Sequence, residues 1–392
     1  MMTEREFPYP SLNTPALLLD MDKLEANIRE MSQVASEAGV KLRPHTKVHE
    51  SAVIAKMQIE SGALAIETGS LEQAEGMING GFNDIVIAHP FYGRHKLEIL
   101  KKLLSQPEIK ITTVVDMFEQ AEGISKIGQA VGRKIPTLIK VDTNTPLGGT
   151  PRLGVLPGEP TLSLAKMLSQ LPGIELVGIY VHEMGVEPTA EGVEKTAFET
   201  AALTAETVKM LRKEGFKIEG ASVGASATFR ATCRYIKEGK FTEITEIHPG
   251  TCIIGDVMQI SRYATTEDRC ALTVLTTVIS TSHAEHAVLD AGWKTFGADS
   301  LIANRDKPGF SWNGNPSFGT IKGRPDLWLG RLSAETSIVY YKDPDKKLML
   351  GERIEIMPNN AILVINLHDQ IYGVRNGAVE KKIPVTTRGM GC

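Results

Sequence analysis

The stretch Lys41-Leu42-Arg43-Pro44-His45-Thr46-Lys47-Val48-His49 decides between the two parallel α/β architectures open to this chain. It reads as a short strand, Lys41–His45, ending in a turn that sets a lysine between two histidines. An open dinucleotide-binding sheet needs Gly-x-Gly-x-x-Gly after its first strand, so that a pyrophosphate can approach the backbone. Here that turn holds Pro-His-Thr-Lys, and the dinucleotide reading loses its main support.

Outward from this turn, short apolar, often β-branched runs alternate with amphipathic stretches of helical length. The predicted strands are Lys41–His45, Ala63–Glu67, Asp84–Ala88, Lys110–Val115, Pro136–Val141, Leu176–Val181, Glu219–Gly224 and Ile244–His248. Runs of this kind suit parallel strands buried on both faces. Eight such repeats before Asp256 predict an α/β fold, a (β/α)8 barrel. Pro15–Leu19 is a further strand, and Asp22 with Glu25 is expected to cap the helix that follows.

After Asp256 the pattern changes. Ala271–Ser280, Ala287–Ala291, Thr336–Tyr341, Arg353–Met357 and Ala361–Leu367 read as strands without intervening helices, and Gly309–Gly330 as a long loop rich in Gly, Pro and Asn. The expected domains are a barrel over 17–258 and a C-terminal β-rich domain over 259–392, joined by residues 1–16.

Of the 392 residues 42% are hydrophobic and 23% charged, and the net charge is -4, so no nucleic-acid or anionic-membrane partner is expected. No apolar run reaches bilayer length. Residues 1–10 lack an apolar signal core. The four cysteines (Cys233, Cys252, Cys270, Cys392) show no CxxC spacing, which predicts reduced thiols and a cytoplasmic location.

Reactive side chains of a (β/α)8 barrel gather at the C-terminal ends of its strands. Those ends supply His45, Lys47, His89, Asp116, Asp142, His182, Gly224–Thr228 and His248–Thr251. The set combines an amine, several imidazoles and two small-residue turns able to bring backbone amides close to a phosphate. A lysine beside a phosphate cradle is the constellation for pyridoxal 5'-phosphate, which the lysine holds as a Schiff base.

The chain resembles the fold-type III pyridoxal-phosphate enzymes, specifically the D-threonine aldolase / D-serine dehydratase group of the alanine racemase-like superfamily. The residues that carry the likeness are Thr14-Pro15-Ala16, Arg43–Lys47, Val223–Thr228, His248–Thr251, Leu289-Asp290-Ala291-Gly292, Pro358-Asn359, Asn366-Leu367-His368-Asp369 and Arg388-Gly389. They follow the family's order over nearly the whole chain. The resemblance implies an alanine racemase-like barrel, a β-rich domain, a homodimer and a small amino-acid substrate, most often of D configuration. It makes Lys47 the Schiff-base lysine, with His45 beside it in the same cofactor-binding turn. Gly224, Ala225, Ser226, Gly250 and Thr251 become phosphate contacts. Arg152 becomes the contact to the phenolic oxygen, and His182 the residue packed on the cofactor ring. His248 stands where the racemase has an arginine facing the pyridine nitrogen.

The family pattern is broken in one place. The aldolases and dehydratases carry Pro-Asn-His-x-Cys, or a carboxylate in place of the cysteine, whose side chains bind a divalent metal that polarises the substrate hydroxyl. This chain reads Pro358-Asn359-Asn360-Ala361-Ile362. Isoleucine coordinates nothing and an amide oxygen is a poor zinc ligand, so no metal is expected. Three readings follow. The first is a lyase on small D-3-hydroxy amino acids, by retro-aldol cleavage or elimination, with His182 or His368 as the base. The second is a racemase or epimerase, and the third a non-catalytic cofactor-binding homologue. Trp293, Phe310, Trp312 and Trp328 are read as packing residues that could also line a substrate pocket.

Overall fold

The computed structural model describes residues 8–183, 187–299, 311–312 and 315–391, with only the backbone described at 311, 312 and 316. The expected positions Phe310 and Cys392 and the side chain of Trp312 lie outside the described residues. Contacts divide the chain into two compact units, 28–47 with 54–250 and 389–392, and 1–27 with 48–53 and 251–388. Residues 17–27 and 251–258 therefore fall in the β-rich unit rather than with the barrel. The first of these segments does so because strand β1 (Ala16–Asp20) finds its hydrogen-bonding partners there.

The barrel unit carries eight parallel strands: β2 (Lys41–Leu42), β3 (Ile66–Thr68), β4 (Asp84–Ile87), β5 (Lys110–Val115), β6 (Ile135–Val141), β7 (Ile174–Val181), β8 (Gly220–Val223) and β9 (Ile244–Ile247). They pair in the order β2-β9-β8-β7-β6-β5-β4-β3. All eight coincide with predicted strands. The ends of the sheet meet through a single bridge, His45 to Glu67, with Leu64 N–H donating to Leu42 C=O and Glu67 N–H to Pro44 C=O. The ladder of β2 is short because Pro44 has no N–H to give. Val86, Ala88, Val114, Leu138 and Tyr180 pack together between the strands. The helices start on local caps: Ser70 Oγ accepts from Gln73 N–H and Thr189 Oγ1 from Gly192 N–H, filling amide valences that a helix cannot satisfy itself.

In the β-rich unit the remaining strands are β10 (Leu272–Ser280), β11 (His286–Leu289), β12 (Ser311–Trp312), β13 (Asn315–Pro316), β14 (Gly319–Ile321), β15 (Leu327–Leu332), β16 (Ser337–Tyr341), β17 (Arg353–Pro358), β18 (Gln370–Arg375) and β19 (Ala378–Pro384). Strand β1 lies antiparallel to β10 and parallel to β18. Its leucines 17–19 are at most 1% exposed, so this short run is held by burial as well as by its ladders. Helix Met21–Ala38 is started by Asp20, whose carboxylate accepts from Lys23 N–H, and not by the expected Asp22 and Glu25. Those two carboxylates instead bind the Arg375 guanidinium.

Three sequence expectations are corrected here. Strands β12, β13 and β14 lie inside the expected loop 309–330 and β15 begins within it, and β18 and β19 were not anticipated. Ala361–Leu367, expected as a strand, forms the helix Ala361–Asn366. A mostly apolar run of this length fits either element, and tertiary burial settles it: Ala361, Val364 and Ile365 are buried at helical spacing while Leu363 is exposed. Asn360 caps this helix, its Oδ1 accepting from Ile362 and Leu363 N–H, and Asp256 accepts from Ala361 N–H. Asn360→Ala is expected to lower stability by about 1 kcal/mol in denaturant unfolding, the usual loss for an N-cap. An unchanged unfolding midpoint would show that the cap is redundant.

Cys233, Cys252 and Cys270 are buried and outside any disulfide, and burial pushes the thiols of Cys233 and Cys270 up to about 12. None of the described helices is long and apolar enough to cross a membrane.

Candidate active site

Lys47 sits in the 3-10 turn Thr46–Val48 just beyond β2. His45 and Lys47 line a pocket together with Ala88, His89, Lys140, Asn144, Arg152, Tyr180 and His182. These residues come from the ends of four strands, β2, β4, β6 and β7, which is how a parallel barrel gathers chemistry that is scattered in sequence.

Arg152 reaches the pocket by an excursion after β6. Residues 143–153 leave the barrel and return when Val155 pairs with Val141, its N–H donating to Lys140 C=O while its own C=O accepts from Asp142 N–H. Gly154 makes the return possible at φ +126°, where a Cβ would lie 2.7 Å from the Asp142 nitrogen. Asp116 and Asp142 serve this loop. Asp116 accepts from Gly154 N–H (2.9 Å), and Asp142 from Asn144 N–H (2.8 Å) and the Thr145 hydroxyl.

The turn Gly224–Thr228 leads from β8 into helix Phe229–Lys237. Its N-terminal peptide groups carry the positive end of the helix dipole. A Cβ on Gly224 would come within 2.9 Å of the His248 backbone nitrogen, so the turns after β8 and β9 pack backbone to backbone. Ala225 and Ser226 follow in this turn. Gly250 ends the β9 turn, where Pro249 C=O accepts from His45 N–H. Thr251, which opens the turn Thr251–Ile253, and His368, whose Nδ1 bonds Val364 C=O (2.8 Å), belong to the β-rich unit.

The imidazoles are neutral at neutral pH. Burial brings His89 down to about 4 and holds His45, His182 and His248 well below the usual histidine range, with nearby Lys47 adding to each. Burial also lowers Lys47; Arg152 adds to this and Glu67 opposes it. A lowered amine is more often unprotonated, as a carbonyl nucleophile must be.

His248 is held in a defined tautomer. Arg43 pairs with Glu246 (3.0 Å), Glu246 accepts from the Ser222 hydroxyl (3.0 Å), and Ser222 Oγ lies 2.8 Å from His248 Nδ1. The serine's single proton is already given to the carboxylate, so its oxygen accepts and the histidine proton sits on Nδ1. His248 Nε2 keeps a bare lone pair and is buried without a hydrogen-bond partner. The ring stacks on Tyr180 at 4.3 Å and lies 5.9 Å from His182.

Glu67, Lys140 and Tyr180 were not singled out from the sequence. The available signal was a polar residue inside an otherwise apolar strand, as in Leu138-Ile139-Lys140-Val141. Lys140 Nζ donates to Ala88 C=O (3.1 Å) and lies 4.3 Å over the Tyr180 ring. Burial brings it down to about 8, against the pull of Glu67.

Glu67 is fully buried and pushed up to about 8 by burial, with the Tyr180 hydrogen bond and Lys140 opposing. The folded protein therefore holds a proton there that the unfolded chain releases above its usual 4.5. The stability linked to that proton is complete below about 4.5 and is lost as pH rises to about 8. Glu67→Gln carries no such loss. Between pH 5 and 8 its unfolding free energy is expected to rise relative to wild type, and parallel curves would show that Glu67 is ionised throughout.

Residues 19–257 match the family described as alanine racemase, N-terminal domain, and residues 271–374 match one described as a serine dehydratase domain. The 3-hydroxy-D-aspartate aldolase of Paracoccus denitrificans is 27% identical over 97% of this chain and 93% of its own length. The crystal structure of D-threonine aldolase from Filomicrobium marinum superposes with a TM-score of 0.84 at 27% identity, covering 98% of this chain and 97% of that one. D-threo-3-hydroxyaspartate dehydratase from a Delftia species gives a TM-score of 0.84 at 25% identity, covering 97% and 99%. With its lysine-bearing turn at the end of the first barrel strand, the chain belongs to the alanine racemase N-terminal domain family.

Proposed function

We propose that this protein is a pyridoxal-phosphate-dependent lyase acting on small D-3-hydroxy amino acids. The observation that carries the reading is the Lys47 amine, lowered by burial, in a pocket shared with Arg152, His89 and His182. The relatives named above, two aldolases and a dehydratase for D-3-hydroxy amino acids, support the substrate class.

The donor set fits the cofactor. Lys47 would hold it covalently, Gly224, Ala225, Ser226 and Gly250 its phosphate, and Arg152 its phenolic oxygen, with His45 and His182 packed alongside. His248 Nε2, a buried acceptor without a partner, suits a protonated ring nitrogen, where an arginine would instead donate. Pyridoxal phosphate, when bound, supplies an electrophilic carbonyl and an electron sink for charge developing at the substrate's Cα. His182, neutral at working pH, is able to accept the proton of the substrate's β-hydroxyl, and Lys47 to exchange a proton at Cα. The parts given to Thr251 and His368 rest on the resemblance alone. The reading includes a homodimer in the cytoplasm.

The divalent metal of the related aldolases and dehydratases does not fit here. The Asn360 oxygen is taken up by two backbone N–H groups, its amide nitrogen lies 3.3 Å from Asp299 Oδ2, and Ile362 offers no ligand. Among the described residues no three His, Cys, Asp or Glu side chains are grouped to hold a metal. Turnover of D-3-hydroxy amino acids is therefore expected to persist after chelation within about twofold. The test is an assay of the cofactor-loaded enzyme with and without chelator, scoring glycine plus aldehyde, 2-oxo acid plus ammonia, and solvent deuterium at Cα. Deuterium exchange with inversion and no cleavage would replace the lyase by a racemase. Loss of cleavage on chelation, restored by metal, would overturn metal independence.

A further inference from the structure

The Glu67 carboxyl is fully buried, lies behind two residues that line the pocket, and is not used in the reaction read above. Its backbone clasps the lysine turn from both sides: Glu67 N–H donates to Pro44 C=O (3.0 Å), and Glu67 C=O accepts from the Thr46 hydroxyl (2.9 Å). Its Oε1 accepts from the Tyr180 hydroxyl at 2.8 Å. The same oxygen lies 3.6 Å from His45 Nε2, and Oε2 lies 3.9 Å from His248 Nδ1.

His45 links this carboxyl to the lysine. Its Nδ1 accepts the backbone N–H of Lys47 (3.4 Å), so the one proton of the neutral ring sits on Nε2 and points at Glu67. Both His45 Nε2 and Glu67 Oε2 are buried without a hydrogen-bond partner. The gap of 3.6 Å exceeds a hydrogen bond, and contacts of this kind in a ligand-free site shorten when the site is loaded. The groups that face Glu67 come from every side of the barrel: His45 and Lys47 beyond β2, Lys140 on β6, Tyr180 on β7, Glu246 on β9 and His248 after it.

We propose that Glu67 is a positioning residue for Lys47: anchored by Tyr180, its carboxyl holds His45 in the tautomer that receives the Lys47 peptide N–H, and so fixes the turn that presents the amine. The proposal rests on Lys47 being the cofactor lysine. Where Glu67 ionises, above about pH 8, its negative charge also favours the ammonium form of Lys47.

The experiment compares wild type, E67Q and E67L. One readout is the ring-nitrogen NMR signals of the histidines in the ligand-free protein, with the His45 signals identified by their loss in His45→Gln. The other is the rate of pyridoxal phosphate capture, followed by absorbance across pH. E67L is expected to lose the single Nε2–H form of His45 and to capture the cofactor on the order of tenfold more slowly. E67Q, which keeps an acceptor, is expected to retain the tautomer and move the capture profile to lower pH. An unchanged His45 tautomer and capture rate in E67L, with only a lower melting temperature, overturns the proposal. Should E67L not fold, Glu67→Ala takes its place with the same expected loss, and an unchanged His45 tautomer and capture rate in that variant overturns the proposal equally. If wild type captures no cofactor, the proposed function fails, while the His45 signals still decide whether Glu67 sets the tautomer.

Discussion

Lys47→Ala is expected to abolish the cofactor's absorbance signature and to lower turnover by at least about three orders of magnitude, the upper range for removing a group that both binds and moves protons. The prediction follows from the surroundings of the amine. Burial and Arg152 lower it, so it is available as a nucleophile, and the turn that carries it is bonded to two neighbouring strands. Among the described residues lining the pocket, the other amine cannot take its place without rebuilding the site. Lys140, also lowered, is held by Ala88 C=O and lies over the Tyr180 ring. The check is an absorbance spectrum of purified protein with added pyridoxal phosphate, followed by the cleavage assay. A variant that stays coloured after dialysis and retains more than a tenth of wild-type turnover would assign the cofactor to another group.

The largest expected effect on stability is at Arg43. Its side chain is 8% exposed and pairs with Glu246 at 3.0 Å and Asp84 at 2.7 Å. Arg43→Met keeps most of the buried stem but leaves the Glu246 carboxylate, 14% exposed, without its counter-charge. Removing one partner of a buried pair costs about 3 kcal/mol, most of it the penalty on the charge left behind. Asp84, 39% exposed, contributes little because water screens it. The effect should reach the site, since Glu246 orders Ser222 and Ser222 sets the His248 tautomer. Denaturant unfolding is the measurement. Arg43→Met combined with Glu246→Gln should recover most of the loss, because no charge is then stranded. A single variant within about 0.5 kcal/mol of wild type would show that water already solvates Glu246.

The barrel was legible in the sequence because burial on both faces leaves a signature that needs no partner to be read, a short apolar run between turn residues. That is why all eight strands were placed correctly and why His45, Lys47 and His182 could be named from strand ends. Arg152 came from the family resemblance alone, and the structure supplies what brings it back, the Val155 pairing and the left-handed Gly154. Glu67, Lys140 and Tyr180 escaped notice because a polar residue inside a strand means little until the strand's inward face is known. The Ala361–Leu367 run was misread for a related reason: a short, mostly apolar run fits a strand or two helical turns, and only tertiary burial, with the Asn360 and Asp256 caps, decides between them.

The sequence by itself determined the barrel, the lysine-bearing turn, the small-residue turns and the absence of ligands at Asn360 and Ile362, since each depends on residue type and local spacing. Only the tertiary structure decided which side chains share an interior and which nitrogen of His45 and His248 carries the proton. Those properties arise from burial and from partners distant in sequence. Glu67 meets Tyr180 113 residues away, and no local pattern encodes that meeting.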